Sequence, residues 1–198
     1  MSDPRARPLL ESDVGPDPLV QFHRWLDEAR EAVRAPEAMV LATADGDGAP
    51  SVRMVLLKGA DERGFVFFSG YESRKGRDLA ANPRAALLFH WDPVGRQVRV
   101  FGAVERLDEE ESDAYFATRP TGAQAAARGA RQGALVASRE ELEEGARRAG
   151  PGERPEWWGG YLLRPQTYEF WQHREDRLHD RLRYEPDGDG WRIVRLAP

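Results

Sequence analysis

Between Met39 and Arg106 the chain passes through five short apolar segments, each ended by turn or capping residues, and this pattern narrows the fold more than any other. The segments are Met39–Ala44, Ser51–Lys58, Phe65–Ser69, Ala85–Trp91 and Gln97–Arg106. Turn clusters at Asp45-Gly46-Asp47-Gly48, Asp61–Gly64 and Asp92-Pro93-Val94-Gly95 predict antiparallel hairpins. Ser73 is placed to cap a short helix running to Asn82 between the third and fourth segments. No GxGxxG or GxxxxGKS run occurs, so a parallel nucleotide-binding fold is disfavoured and any phosphate must be held by side chains.

The flanks complete a mainly β chain with helices. Residues 1–16 are rich in Pro, Asp and Arg without periodicity and read as a flexible or partner-draped arm. Asp17-Pro18 opens a helix whose Leu19, Phe22, Trp25, Leu26, Ala29 and Val33 recur at helical spacing. From Asp108 to about Ala149 the pattern is helical, although the glycines of Thr121–Gly133 leave that middle open. After Gly150-Pro151-Gly152 come four strand segments, Trp157–Leu163, Thr167–Gln172, Leu178–Glu185 and Trp191–Leu196. One barrel-like domain over residues 17–198, decorated by helices, is the expected architecture.

Composition excludes several classes of function. The 198 residues are 40% hydrophobic, enough for one core, yet no apolar run approaches a membrane span and the opening MSDPRARPLL lacks a secretory apolar stretch. The expected compartment is the cytoplasm, without membrane contact. A net charge of −5 argues against nucleic acid as a partner. With no cysteine there is no disulfide, thiolate metal site or cysteine nucleophile, and His23, His90, His173 and His179 form no paired ligand motif, so no metal is expected.

Of the 29 basic residues only Lys58 and Lys75 are lysines. A compact ammonium is not equivalent to a guanidinium fork, so two surviving lysines mark either surface chance or sites that need a point charge. In Arg53-Met54-Val55-Leu56-Leu57-Lys58, alternation puts Arg53, Val55 and Leu57 on one face and Met54, Leu56 and Lys58 on the other. The two cations are then either solvated strand ends or contacts to different parts of one ligand. Ser73-Arg74-Lys75 opens a helix with hydroxyl, guanidinium and ammonium near free backbone N–H groups, which suits a phosphate cradle or simply an exposed helix start. If Arg177-Leu178-His179-Asp180-Arg181 is a strand, Arg177, His179 and Arg181 line one face and require an anionic ligand or acidic partners such as Glu175, Asp176 or Asp180. Phe170 and Trp171 can supply an aromatic wall nearby, or belong to the core.

Together RMVLLK (53–58), SRK (73–75), RQV (96–98), YFATRP (115–120), EFWQ (169–172), RLHDRLRY (177–184) and the closing RLAP resemble the pyridoxine/pyridoxamine 5′-phosphate oxidases, FMN enzymes of the split-barrel flavoprotein family, from about Asp17 to Pro198. The resemblance implies a split β-barrel of six or so strands, obligately homodimeric, with FMN between subunits. By matching position it implies that Arg53, Met54, Val55, Leu56, Leu57, Lys58, Phe68, Ser69, Arg74, Lys75 and Gln97 contact FMN, joined by Gln132, Trp171 and Arg181, some from the second subunit. It further implies that Lys58, Tyr115 and Arg119 hold the phosphate of a small phosphorylated pyridine, with Arg177 and His179 as the catalytic pair beside its ring. The implied reaction moves a hydride from C4′ of the substrate to the flavin, with O2 as acceptor and H2O2 as product. Three positions depart from the family pattern: Ala123 replaces a phosphate-contacting serine, Gly133 follows Gln132 where a serine is usual, and His173-Arg174 replaces a Gly-rich approach. These departures keep two alternatives open, a related oxidase of phenazine-type intermediates and a noncatalytic flavin- or pyridoxal-phosphate-binding protein.

Overall fold

The computed structural model describes residues 7–198. Their strands are β1 (Ala38–Ala44), β2 (Pro50–Leu56), β3 (Gly59–Asp61), β4 (Gly64–Gly70), β5 (Arg84–Trp91), β6 (Arg96–Arg106), β7 (Trp158–Gln172), β8 (Asp180–Asp187) and β9 (Gly190–Arg195). All pair antiparallel in one sheet of order β2-β1-β5-β6-β7-β4-β3, with β8 and β9 continuing from the far half of β7. Just beyond β2, the Lys58 amide donates to Val66 O of β4 at 2.8 Å, so the two ends of the main path return toward each other and the sheet curls into a half-barrel. The expected split-barrel architecture is therefore present, with more strands than the six or so anticipated.

Helices close the ends and the mouth. In α1 (Pro18–Arg30) Asp17 caps the first turn, accepting from the Leu19 amide at 2.8 Å. The helix buries Phe22, Trp25, Leu26 and Ala29 against the sheet. Phe22 meets Phe65 and Phe89 at centroid distances of 4.9 and 5.0 Å, and Trp25 meets Phe170 edge-on at 5.2 Å. This aromatic packing, rather than backbone pairing, fixes α1 over the barrel. The remaining helices are α2 (Arg74–Ala81), α3 (Glu109–Thr118), α4 (Thr121–Gly129) and α5 (Arg139–Ala149). The ambiguous Ala/Gly stretch is thus helical as far as Gly129, and its backbone there lies against Gly145 and Ala146 of α5. No helix among the described residues is long and apolar enough to cross a membrane.

Three segments differ from the expectation. Within the segment read as an arm, Leu9 and Val14 are buried in the core cluster. The Leu9 amide donates to Asp180 Oδ2 at 3.0 Å, and the Tyr184 hydroxyl donates to Gly15 O at 2.7 Å. That stretch is part of the packed body, while residues 1–6 lie outside the described residues. Second, Trp157–Leu163 and Thr167–Gln172 are joined in the single 15-residue strand β7. Pro165 is accommodated where the β6–β7 register shifts between Phe101 and Gly102. Third, β8 starts at Asp180, so Arg177 and His179 precede the strand.

The register shift depends on Gly102, where a Cβ would stand 1.9 Å from Arg164 O. Gly102→Ala must push β6 from β7 and is expected to destabilise the chain by about 1–3 kcal/mol, as overpacking does. A fall in the urea midpoint at unchanged slope checks this.

Candidate active site

A cleft of about 490 Å³ opens between β2, β4, α2, α3 and the segment after α4. Its lining includes Arg53, Lys58, Lys75 and Arg119, four cations without a carboxylate. Met54, Val55, Leu56, Phe68, Ser69, Tyr115 and Gln132 line it as well, so the fold gathers eleven of the residues singled out from sequence. Leu57 faces the other way into the hydrophobic core. Arg74 is exposed on the first turn of α2, beside the cleft wall formed by Lys75.

Each polar group has a definite support. Ser73 caps α2, donating to Gly70 O at 2.7 Å and accepting from Lys75 Nζ at 3.2 Å. Gln132 Oε1 accepts from Ser69 Oγ (2.8 Å), the Gly70 amide (3.0 Å) and Lys75 Nζ (3.2 Å), which ties the segment after α4 to β4 and α2. Gly133 follows with φ of +87°, a conformation that suits glycine and accounts locally for the missing serine. Burial holds the Lys75 ammonium below its ordinary pKa, and the nearby Arg53 charge adds to this. Arg53 Nη1 donates to Leu41 O (3.1 Å) and Thr43 Oγ1 (2.7 Å), while Nη2 donates to Ser51 Oγ (2.6 Å) and faces Asp78 at 3.6 Å.

The opposite wall is aromatic. Phe68 stacks on Tyr115 at 3.8 Å and on Trp158 at 5.5 Å, and the Arg119 guanidinium lies over Trp158 at 4.5 Å. Burial lowers the Arg119 pKa, and its Nη1 is buried with no hydrogen-bond partner among the described residues. Trp158 was missed as a site residue; the Trp157-Trp158 pair signals an aromatic strand start, but sequence alone does not say which ring faces the cleft.

The remaining residues form a second group. Gln97 pairs with Trp171 across β6–β7, and Trp171 with Arg181 across β7–β8. Arg181 Nε donates to Glu169 Oε1 at 2.9 Å. The His179 ring lies 4.8 Å from Trp171 and 5.2 Å from His173, and its Nδ1 accepts from the Arg174 amide at 3.0 Å. That bond sets the neutral ring as the Nε2–H tautomer. Arg177, at φ +66°, is exposed in the turn before β8. The expected row of Arg177, His179 and Arg181 along one strand face is therefore absent. The Arg177 amide donates to Arg174 O and the Leu178 amide to Asp176 Oδ1, which bends the backbone out of strand geometry. Trp158 and Trp171 are 13 residues apart on β7. At the rise of a strand this is about 40 Å along the chain, and none of the second group lines the cleft of the same protomer.

Residues 26–148 match the model of the pyridoxamine 5′-phosphate oxidase family, and residues 158–198 match the pyridoxine 5′-phosphate oxidase C-terminal dimerisation region. The chain belongs to the pyridoxine/pyridoxamine 5′-phosphate oxidase family. It is 58% identical over 197 residues to the pyridoxine/pyridoxamine 5′-phosphate oxidase of Cupriavidus taiwanensis, covering 96% of this chain and 93% of that one. The corresponding protein of Rubrobacter xylanophilus is 57% identical, covering 96% and 91%. Among solved structures, PhzG from Burkholderia lata in complex with tetrahydrophenazine-1-carboxylic acid superposes with a TM-score of 0.91 at 35% identity, covering 96% of this chain and 98% of that chain. An FMN-binding, pyridoxamine 5′-phosphate oxidase-related protein of Nostoc punctiforme shares the fold at 18% identity and a TM-score of 0.74, covering 90% and 96%.

Because burial opposes the charged form of Lys75, the unliganded fold gains little from that ammonium. Removing it as Lys75→Met is expected to leave the urea midpoint of the flavin-free protein near pH 7 unchanged or higher. The wild-type midpoint is expected to gain on that of Lys75→Met as pH approaches the ordinary lysine pKa of about 10.4, because the unfolded chain holds that proton longer, while buried Tyr161, Tyr168 and Tyr184 act on both proteins alike. A pH series on both proteins checks the sign.

Proposed function

We propose that this chain is an FMN-dependent oxidase that converts pyridoxine or pyridoxamine 5′-phosphate to pyridoxal 5′-phosphate, with O2 as acceptor. The observation that carries the reading is the cation-lined cleft, which has no carboxylate in its lining and stands against a stacked aromatic wall. Arg53 and Lys75, with Arg74 beside them, converge at the start of α2, where free backbone N–H groups also favour an anion. Lys58, Arg119 and Tyr115 line the same cleft. Four cations in one cleft fit two phosphates, one on the flavin and one on the substrate.

When bound, FMN supplies the hydride acceptor and passes the electrons to O2, giving H2O2. The residues of this chain bind and orient. Arg53, Arg74 and Lys75 would hold the flavin phosphate, with Gln132 and Ser69 bracing Lys75 and β4. Lys58, Tyr115 and Arg119 would hold the substrate phosphate, the unpartnered Arg119 Nη1 gaining an acceptor there. Ala123 offers no hydroxyl to that phosphate. The Nε2–H of His179 and the Arg177 guanidinium would lie beside the pyridine ring and hold charge at its polar groups.

This requires a second protomer. The C-terminal dimerisation match supports a homodimer. So does the apolar outer face of β2, where Val52, Met54 and Leu56 are exposed. In such a dimer Trp171, Arg177, His179 and Arg181, with Gln97, would complete the partner's cleft. The likeness to PhzG supports a second reading, oxidation of a carboxylated tricycle. The cations that line the cleft with Tyr115 favour the phosphorylated pyridine.

Anaerobic bleaching of the FMN-loaded protein by pyridoxine or pyridoxamine 5′-phosphate, with H2O2 and pyridoxal 5′-phosphate in air, is the expected result. Flavin that stays oxidised with both substrates overturns the reading, and bleaching by a reduced phenazine precursor alone replaces it with the second. His179→Ala is expected to lower kcat by about 10²-fold or more with an unchanged melting temperature of the flavin-free protein. If the site is shared, unfolding and refolding an equal mixture of His179→Ala and Arg119→Ala chains should restore about a quarter of wild-type activity, since half the dimers then carry one intact site. No recovery would place both residues in one protomer's site.

A further inference from the structure

Asp78 is a carboxylate only 4% exposed, on α2 and behind the cleft wall. Its Oδ2 accepts from Thr43 Oγ1 at 2.6 Å and lies 3.6 Å from Arg53 Nη2. Thr43 Oγ1 in turn accepts from Arg53 Nη1 at 2.7 Å, so carboxylate, hydroxyl and guanidinium form a closed triangle across α2, β1 and β2. Leu41 O and Ser51 Oγ occupy further hydrogens of the same guanidinium. The other charges near Arg53 are cations, Arg74 and Lys75.

We infer that Asp78 is a positioning residue for the phosphate end of the cofactor cleft, acting through Thr43 to fix the Arg53 guanidinium in one orientation; this rests on the FMN reading above. Helix α2 thereby does two things with one rigid turn and a half. Its start carries Ser73, Arg74 and Lys75 to the anion, and four residues after Arg74 it places the carboxylate that aligns the third cation. A guanidinium held in place loses less rotational freedom when it meets a phosphate, and that gain is specific to the anionic end of the ligand.

The role predicts an effect opposite in sign to simple charge. Asp78→Asn removes a negative charge behind a cationic site, and through-space attraction alone would tighten FMN. Loss of orientation weakens it. The test is titration of flavin-free protein with FMN and with riboflavin, followed by quenching of flavin fluorescence. Asp78→Asn is expected to weaken FMN by about tenfold and leave riboflavin unchanged. In an Arg53→Lys background the same substitution should cause no further loss, because the group it orients is gone. FMN bound as tightly as by wild type, or more tightly, overturns the inference. Equal weakening of FMN and riboflavin overturns it too, in favour of a general packing role. If Asp78→Asn does not fold, Thr43→Val opens the same triangle, with the same FMN-selective loss expected and wild-type affinity overturning it. Wild-type protein that binds neither flavin would overturn the oxidase reading itself, a result distinct from failure of the variant alone.

Discussion

Strand β7 carries three pairings at once, and the rest of the structure is arranged around that constraint. Residues 158–163 pair with β4, residues 161–172 with β6, and residues 168–172 with β8. A 15-residue strand cannot serve three partners while staying straight, because neighbouring strands twist relative to one another. The relief comes where Gly102 faces Pro165: the proline needs no ladder partner for a missing N–H, and the absent Cβ lets the Arg164 carbonyl approach. One end of β7 then supplies Trp158 to the cleft, and the other supplies Trp171 to the second group. The strand that makes the fold coherent also sets the cleft apart from the group around Trp171.

Electrostatics sharpen the same point. Gathering Arg53, Lys58, Lys75 and Arg119 in a cleft lined by no carboxylate works against folding, since Lys75 and Arg119 lose water without an ion pair and only Arg53 faces a carboxylate, Asp78 behind the wall. Arg119 is stacked on Trp158 and Lys75 rests on neutral oxygens, arrangements that hold a cation in place while leaving its charge uncancelled. The second group is treated differently. Arg181 is paired to Glu169, which also meets Arg99, and Asp180 is paired to Arg195. Arg181 and Asp180 at the far end of β7 are therefore neutralised within the protomer, whereas Lys58, Lys75 and Arg119 of the cleft have no carboxylate partner among the described residues.

The strands, their turns and the helix starts were legible because each rests on local chemistry. Asp17-Pro18 caps α1, Ser73 caps α2, and the Asp/Gly clusters end β1 and β5 where expected, while the Asp61–Gly64 turn ends the short β3, which the sequence did not mark off from the segment Ser51–Lys58. Cleft residues on regular elements were legible for the same reason: Arg53 sits within β2, Lys58 just beyond it, and Lys75 in the first turn of α2. What escaped depended on tertiary context. Residues 9–14 look like a polar arm, yet Leu9 finds a place in the core and its amide finds Asp180, more than 170 positions away in sequence. The RLHDR segment alternates like a strand but turns before Asp180, because Asp176 and the Arg174 carbonyl capture amides that a ladder would have used. Asp78 carried no signal, since an acidic residue on a short helix is ordinarily solvated.

The contrast between Arg53 and Arg119 shows why neither charge nor exposure alone identifies a binding group. Both line the cleft and burial lowers the pKa of both. Arg53 has both terminal nitrogens engaged by oxygens of β1 and β2, so it presents a fixed charge and a fixed plane. Arg119 has a buried terminal nitrogen with no partner among the described residues and is held by ring faces instead. A buried donor left unpaired costs about 1–3 kcal/mol, a penalty that disappears when an acceptor arrives. The first arrangement suits a ligand that stays in place, because an oriented guanidinium, with Nε outside these bonds, favours one pose. The second suits a ligand that comes and goes, because the free donor is satisfied only while that ligand is bound.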